Sequence, residues 1–137
     1  MNQQNLEGKT IVVGAYTLNV KQKIGEGGYA SVYKCKDQQD RQYALKCVNC
    51  MTQERFDQFK QEAIILQSLP PHKNIVKLFA ADLNISQLSI IFLFEYCPSN
   101  AIQLMTERFL TNDEIIIFFN AICSATAYLH NQNTPII

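Results

Sequence analysis

No stretch of this sequence is apolar for the roughly 20 consecutive residues that a membrane-spanning helix needs. No run of lysines and arginines, and no interleaving of basic with aromatic residues, offers a surface for nucleic acid. Neither charge sign prevails: Lys plus Arg and Asp plus Glu number twelve each. Eleven of the twelve basic residues lie at or before Lys77, so the front is mildly basic and the back acidic. Internal repeats are absent, and so are low-complexity tracts beyond scattered glutamines. Cys47 and Cys50 form a C-x-x-C without a second pair or nearby histidines, so neither zinc nor redox use is expected. Cys47 is expected to pack as a small hydrophobe. Five cysteines is an odd number, and nothing suggests secretion, so reduced thiols and a cytoplasmic location are expected. The polar start Met1-Asn2-Gln3-Gln4-Asn5 is not expected to act as a signal peptide. The triplet Asn84-Ile85-Ser86 is therefore not expected to carry a glycan. Glycine is scarce, five in 137 residues, yet Gly25, Gly27 and Gly28 fall within four positions.

That cluster opens the most informative stretch of the chain, Ile24 to Lys46. It runs Ile24-Gly25-Glu26-Gly27-Gly28-Tyr29-Ala30-Ser31-Val32, passes a polar turn, and ends Tyr43-Ala44-Leu45-Lys46. Residues without a Cβ let the backbone turn sharply and bring N–H donors close to a multiply charged phosphate. Val32 and Ala44 are small and apolar, suited to the faces of an adenine ring. In strand alternation Ala44, Lys46 and Val48 share one face, while Tyr43, Leu45 and Cys47 share the other. Lys46 thus points where Ala44 points. The stretch reads as a hairpin over a nucleotide's phosphates, followed by a strand that delivers one lysine to them; a plain tight hairpin is the structural alternative.

The rest of the chain is one domain's worth of residues, nearly half of them hydrophobic. Residues 1–15 are expected to form a polar arm in which Thr10 to Gly14 adds a strand or packs. Strands are expected over Tyr16–Ile24, Tyr29–Lys36 and Arg41–Asn49 as an antiparallel meander. The period then changes. Phe56, Phe59, Ala63 and Leu66 make one helical stripe over 53–69, with Glu62 beside it, and Pro70-Pro71 stops the helix. Ile75–Leu83 and Leu88–Tyr96 are two more expected strands. Residues 97–100 connect to a short helix at 101–108 and a long one at 111–131. Asp113 and Glu114 suit the first turn of that long helix. Its apolar residues cover more than one face, which predicts burial on several sides.

Five antiparallel strands with a helix after the third, then a connector and helices, resemble the small lobe of a protein kinase, an α+β fold. The glycine loop and the lysine strand have the spacing of that family. The resemblance implies a small lobe at 16–96, then a hinge and the first large-lobe helices at 97–137. It implies that Lys46 and Glu62, sixteen residues apart, are the catalytic ion pair, with the lysine held against the α and β phosphates of ATP. ATP-binding positions would be Ile24, Gly25, Glu26, Gly27, Gly28, Tyr29, Ala30, Val32, Ala44, Lys46, Phe94, Glu95 and Cys97. Phe94 would be the gatekeeper, and Glu95 and Cys97 would present backbone groups to the adenine edge. Leu66 and Leu78 would belong to the small-lobe half of a hydrophobic spine. His72-Lys73-Asn74-Ile75-Val76 resembles the link into the fourth strand, with His72 structural. Val13-Gly14-Ala15-Tyr16, the Gly-Glu-Gly-Gly-Tyr-Ala loop, and Leu129-His130 through Thr134-Pro135-Ile136-Ile137 are similar to the numb-associated kinases, which include the adaptor-associated and cyclin-G-associated serine/threonine kinases. Ala30, in place of a third loop glycine, suits that family, whereas Cys97-Pro98-Ser99-Asn100 lacks the glycines often found after the hinge. The resemblance implies phosphoryl transfer to protein Ser/Thr, with clathrin-adaptor components as substrates, a role in endocytosis and a peripheral place at vesicle membranes.

One departure limits these implications. In the family pattern His-Arg-Asp would come next after Ile137, and no residue present substitutes for its aspartate or for the magnesium ligands. The 137 residues alone are expected to carry the nucleotide half of the site and to transfer no phosphate, whether they come from a truncated kinase or form a catalytically dead binding module. A reading frame continuing into His-Arg-Asp distinguishes the two. An unrelated α+β domain with a chance glycine hairpin is the third reading. Ile115, Ile116, Ile117, Phe118 and Phe119 cannot all be buried by so small a fold, so self-association through 111–131 is expected.

Overall fold

The alternation from Tyr16 onward becomes sheet, with one strand added to the expected five. The computed structural model describes residues 5–132 and 136. In chain order the elements are β1 (Thr10–Val13), β2 (Tyr16–Glu26), β3 (Ala30–Lys36), β4 (Gln42–Asn49), α1 (Gln53–Ser68), β5 (Leu78–Asn84), β6 (Ser89–Glu95), α2 (Ala101–Glu107) and α3 (Asn112–His130). The fold is α+β. The chain divides into two units: residues up to Leu69 with Lys77–Tyr96, and Pro70–Val76 with Cys97 onward.

In the first unit every strand pairs antiparallel with its neighbours, in the order β1-β2-β3-β4-β6-β5. The extra strand is the Thr10–Val13 run, which pairs with β2. Strand β2 carries two register shifts, between Val20 and Gln22 and between Lys23 and Gly25. Each inserts one residue, so the strand bends and simple alternation fails after Val20. Two apolar clusters occupy the two faces. Leu18, Val20, Tyr33, Cys35, Tyr43, Leu45 and Leu93 fill one, with Tyr16, Tyr43 and Phe79 meeting edge to face at centroid distances of 5.2–6.0 Å. Val48, Cys50, Phe56, Ala63, Ile90 and Phe92 fill the other, beneath α1. Helix α1 begins at Thr52, whose hydroxyl accepts the Arg55 N–H.

Two polar devices fix this sheet. The β3–β4 turn is tied by Asp37, whose carboxylate accepts from Gln39 N–H, Arg41 N–H, Arg41 Nε at 2.7 Å and Tyr43 OH at 3.1 Å. Burial alone would raise its pKa, but these donors outweigh burial and hold the carboxyl below its ordinary value. The other device joins the sheet's two edges: Gly14 N–H reaches the Asp82 carboxylate of β5 at 3.2 and 3.3 Å. Gly14 has φ +54°, and a Cβ placed there would stand 3.3 Å from that of Ala80.

In the second unit, His72 stacks on Tyr128 at 4.6 Å and its Nδ1 accepts the Asn74 N–H. In the neutral ring Nε2 then carries the hydrogen, 3.5 Å from Ser124 Oγ. Tyr128 OH donates to the Pro70 carbonyl at 2.7 Å. His72 is thus structural, seating residues 70–76 on α3. Helix α3 opens with a reciprocal cap between Thr111 and Glu114. The Arg108 guanidinium, then the Thr111 N–H, hold the Glu114 carboxyl down at about 2. The expected burial of α3 on several sides is not found: none of its described residues is buried, and Ile117 and Phe119 are 63% and 65% exposed. Its apolar residues run round the helix, and within this unit only α2 and the 70–76 segment are available to cover them.

Gly14→Ala is expected to destabilise the first unit by about 1–2 kcal/mol, the cost of a left-handed backbone at a residue with a Cβ, plus the crowding against Ala80. Chemical denaturation of the variant beside wild type measures this; a loss of less than about 0.5 kcal/mol would contradict the left-handed, crowded backbone at Gly14.

Candidate functional site

The site-forming face of the sheet follows from strand register. Directly opposed residues of antiparallel strands point to the same side. Val32 opposes Lys46, which opposes Phe92; Lys34 opposes Ala44, which opposes Phe94. Val32, Ala44, Lys46 and Phe94 therefore share one face, as alternation predicts for Ala44 and Lys46. On the α1 side of that face, Phe56 and Ala63 are buried and half-buried Phe59 packs edge to face on Phe92 at 6.5 Å. This docking turns Glu62, one turn beyond Phe59, towards β4.

Lys46 Nζ lies 3.7 Å from Glu62 Oε1, and 5.3 Å from the ring centroids of both Phe59 and Phe92. The two side chains keep 27% and 42% of their accessible surface. A pair so exposed contributes at most about 1 kcal/mol to stability. Its consequence is geometric: the ammonium is held by a carboxylate and two ring faces, on the sheet face it shares with Val32 and Ala44.

Beside it stands the loop between β2 and β3. Gly27 N–H bonds the Ala30 carbonyl at 2.8 Å, and the Tyr29 carbonyl accepts from Asn49 N–H at 2.8 Å. The chain reverses sharply here, from Glu26 to Ala30, but none of Gly25, Gly27 and Gly28 has the left-handed backbone that would demand glycine. What glycine leaves here is room: a Cβ at Gly28 would meet nothing within 4 Å. That suits the close approach of a ligand to the loop backbone. Ile24 sits at the second register shift of β2 and is exposed. Glu26 is engaged by Lys23 at 2.6 Å. Ala30 is half-buried against the α1-side cluster.

At the far end of the face, half-buried Phe94 stacks on Phe92 at 5.6 Å. The Glu95 N–H is already donated to the Lys77 carbonyl at 2.9 Å, and its carboxylate accepts from Lys77 N–H. The Glu95 N–H is therefore not free for an adenine edge. Cys97 is exposed and opens the second unit. Leu66 is half-buried on α1, and Leu78 packs on the α1-side cluster. Residues 133–135 and 137, part of the C-terminal stretch used for the family resemblance, lie outside the described residues.

Two residues on this face were not singled out by pattern. Lys34 places Nζ 4.5 Å over the Tyr96 ring, and Arg55 places its guanidinium 3.8 Å from the Tyr29 ring centroid. Lys34 was legible in principle, since it alternates with Val32. Arg55 lies off the apolar stripe of α1 and carried no signal.

The C-x-x-C pair is split by the sheet. Cys47 packs on the Tyr33–Leu45 cluster and Cys50 is buried under α1, so the two thiols serve opposite faces. Burial pushes the Cys47 thiol up to about 11 and the Cys35 thiol up to about 12. Among the described residues, no group of three or more His, Cys, Asp or Glu side chains gathers to hold a metal ion. No helix among them is long and apolar enough to cross a membrane.

Comparison with known proteins agrees with this geometry. The family profile described as protein kinase domain matches residues 18–137. A probable serine/threonine-protein kinase of Dictyostelium discoideum is 35% identical over 144 residues, covering 97% of this chain and 13% of the relative. Serine/threonine-protein kinase sel-5 of Caenorhabditis elegans is 32% identical over 148 residues, covering 100% of this chain and 14% of the relative. A second probable serine/threonine-protein kinase of Dictyostelium discoideum is 30% identical over 122 residues, covering 82% and 15%. The chain thus spans about one seventh of the length of these relatives.

Thiol accessibility tests the placement of the cysteines. Under native conditions at neutral pH, iodoacetamide is expected to label Cys97 and Cys123, which are exposed, and to spare Cys35, Cys47 and Cys50 until the chain is unfolded. Rapid native labelling of Cys47 or Cys50 would contradict the split C-x-x-C.

Proposed function

The chain belongs to the protein kinase domain family, and from that premise we propose that its first unit is the ATP-binding part of a serine/threonine protein kinase. The observation that carries the reading is the Lys46–Glu62 pair at 3.7 Å on the face shared with Val32 and Ala44. ATP supplies the phosphoryl group to be transferred. The residues here fit its recognition: open room beside Gly28 for phosphate oxygens, small apolar Val32 and Ala44 for the adenine faces, and the Glu95 carbonyl for its edge. Phe94 limits the depth of the adenine slot. Lys46 donates to the α and β phosphates, and Glu62 keeps its ammonium aimed at them rather than at bulk water.

Magnesium accompanies ATP in this family, but the described residues gather no acidic cluster to hold it. They do not by themselves fit the ion. The finer placement among the numb-associated kinases rests on sequence resemblance in Val13–Tyr16, the glycine loop and Leu129-His130. Adaptor proteins of clathrin-coated vesicles as substrates, and work at vesicle membranes, follow from that placement alone. Transfer to serine or threonine is supported by the relatives, one a probable serine/threonine-protein kinase and the other a serine/threonine-protein kinase.

Titration calorimetry of the 137-residue chain with ATP tests the reading. Lys46→Met is expected to weaken ATP by about tenfold or more, since hydrogen bonds to charged groups contribute about 1.5–3 kcal/mol. Its thermal stability should stay close to wild type, because the exposed ion pair contributes so little to folding. ATP affinity unchanged by Lys46→Met, or no ATP binding by a folded wild-type chain, would contradict the proposal.

A further inference from the structure

We propose that Arg55 and Tyr29 form a clamp that fixes the glycine loop to the start of α1, making Arg55 a positioning residue for the phosphate cradle. This deepens the nucleotide-site reading, and its consequence for ATP rests on that reading. The loop tip and the helix are distant in sequence, yet the Arg55 guanidinium carbon sits 3.8 Å from the Tyr29 ring centroid, close stacking for a cation on an aromatic face. The Tyr29 carbonyl is at the same time bonded to Asn49 N–H at 2.8 Å. Tyr29 is therefore held through its backbone by the end of β4 and through its ring by α1. Without either tie, a loop with three glycines in four positions would range over many conformations.

The helix end of the clamp is itself fixed. Arg55 lies in the first turn, its N–H on the Thr52 hydroxyl, two turns ahead of Glu62. Met51, just before the helix, has φ +59°, a conformation that a residue with a side chain keeps only where its surroundings impose it. A rigid helix thus carries both the carboxylate that aims Lys46 and the guanidinium that seats the loop. Any motion of α1 that separates Glu62 from Lys46 also pulls at Tyr29. The loop and the lysine are then set for phosphate together or not at all, and by linkage a ligand that orders the loop favours the paired position of α1.

The test is amide hydrogen exchange in the full 137-residue chain without nucleotide. It is read at Gly27 and Asn49, whose N–H groups bond the Ala30 and Tyr29 carbonyls, with Leu45 and Phe92 as controls in the sheet. Arg55→Ala and Tyr29→Leu are each expected to speed exchange at Gly27 and Asn49 about 3-fold, with Leu45 and Phe92 unmoved. The double variant should exchange no faster than either single one, and Tyr29→Phe, which keeps the ring, should match wild type. Unaltered exchange in the single variants, independent effects that multiply to about 9-fold in the double, or equal acceleration at Leu45 and Phe92 would each overturn the clamp. ATP affinity is measured separately on the same proteins. A wild-type chain that binds no ATP sinks the nucleotide-site reading and leaves the exchange result to decide the clamp.

Discussion

One contact sets the demands on the rest of the first unit: the 3.7 Å approach of the Lys46 ammonium to the Glu62 carboxylate. Its own energy is small, because both groups remain partly in water. It forms because two separately built pieces bring its ends together. Strand β4 holds Lys46 in register between Val32 and Phe92. Helix α1 is docked by Phe56, Phe59 and Ala63 on the sheet side that Phe92 presents. The burial of those apolar groups, each contributing roughly 1.5–3 kcal/mol if fully removed from water, is large enough to impose a geometry that the ion pair could not impose for itself. The pair therefore reports the packing of α1 more than it stabilises it.

The same logic accounts for the sheet around the site. A loop proposed to lie against phosphates has to stay sparsely packed, so its position must come from its frame. That frame is a sheet whose turn is knotted by Asp37 and whose edges are joined by Gly14 and Asp82. Both devices lie away from the Lys46 face and leave it free. The second unit shows the opposite condition. Helix α3 is apolar around its circumference, and its isoleucines and Phe119 stand half or more exposed, although its first turn is capped as well as any in the protein. Capping and propensity suffice to define a helix here; they do not bury it.

Much of this was legible from residue order. The alternation of β3 and β4, the stripe of α1, and the spacing of Lys46 and Glu62 each express a local period that tertiary structure preserves. What was not legible has physical causes. The two register shifts in β2 insert Lys21 and Ile24 without any glycine or proline to mark the first, so alternation misassigns faces beyond Val20. The crossover that seats β6 between β4 and β5 depends on which strand buries both faces, and Ser89–Glu95 is the more apolar of the pair. For Thr10 to Gly14 the residues left a strand and a packed arm open; the strand forms because Gly14 permits the turn that lays it on β2. The roles of Arg55 and of the Glu95 N–H are set by partners distant in sequence, which no periodicity encodes. In the glycine loop the turn itself was legible, but its backbone angles would tolerate other residues; what the glycines leave is the open space beside Gly28.

The most direct test of the central claim, that the Ile24–Lys46 hairpin and α1 form one nucleotide site, is residue-resolved mapping of ATP on the folded chain by amide chemical shifts. The largest changes are expected at Gly25 through Ala30, at Ala44 to Lys46 and at Glu95, with smaller ones along α1 around Glu62. Changes centred instead on the β5–β6 hairpin around Asn84 to Gln87, or on α2 and α3, would contradict it.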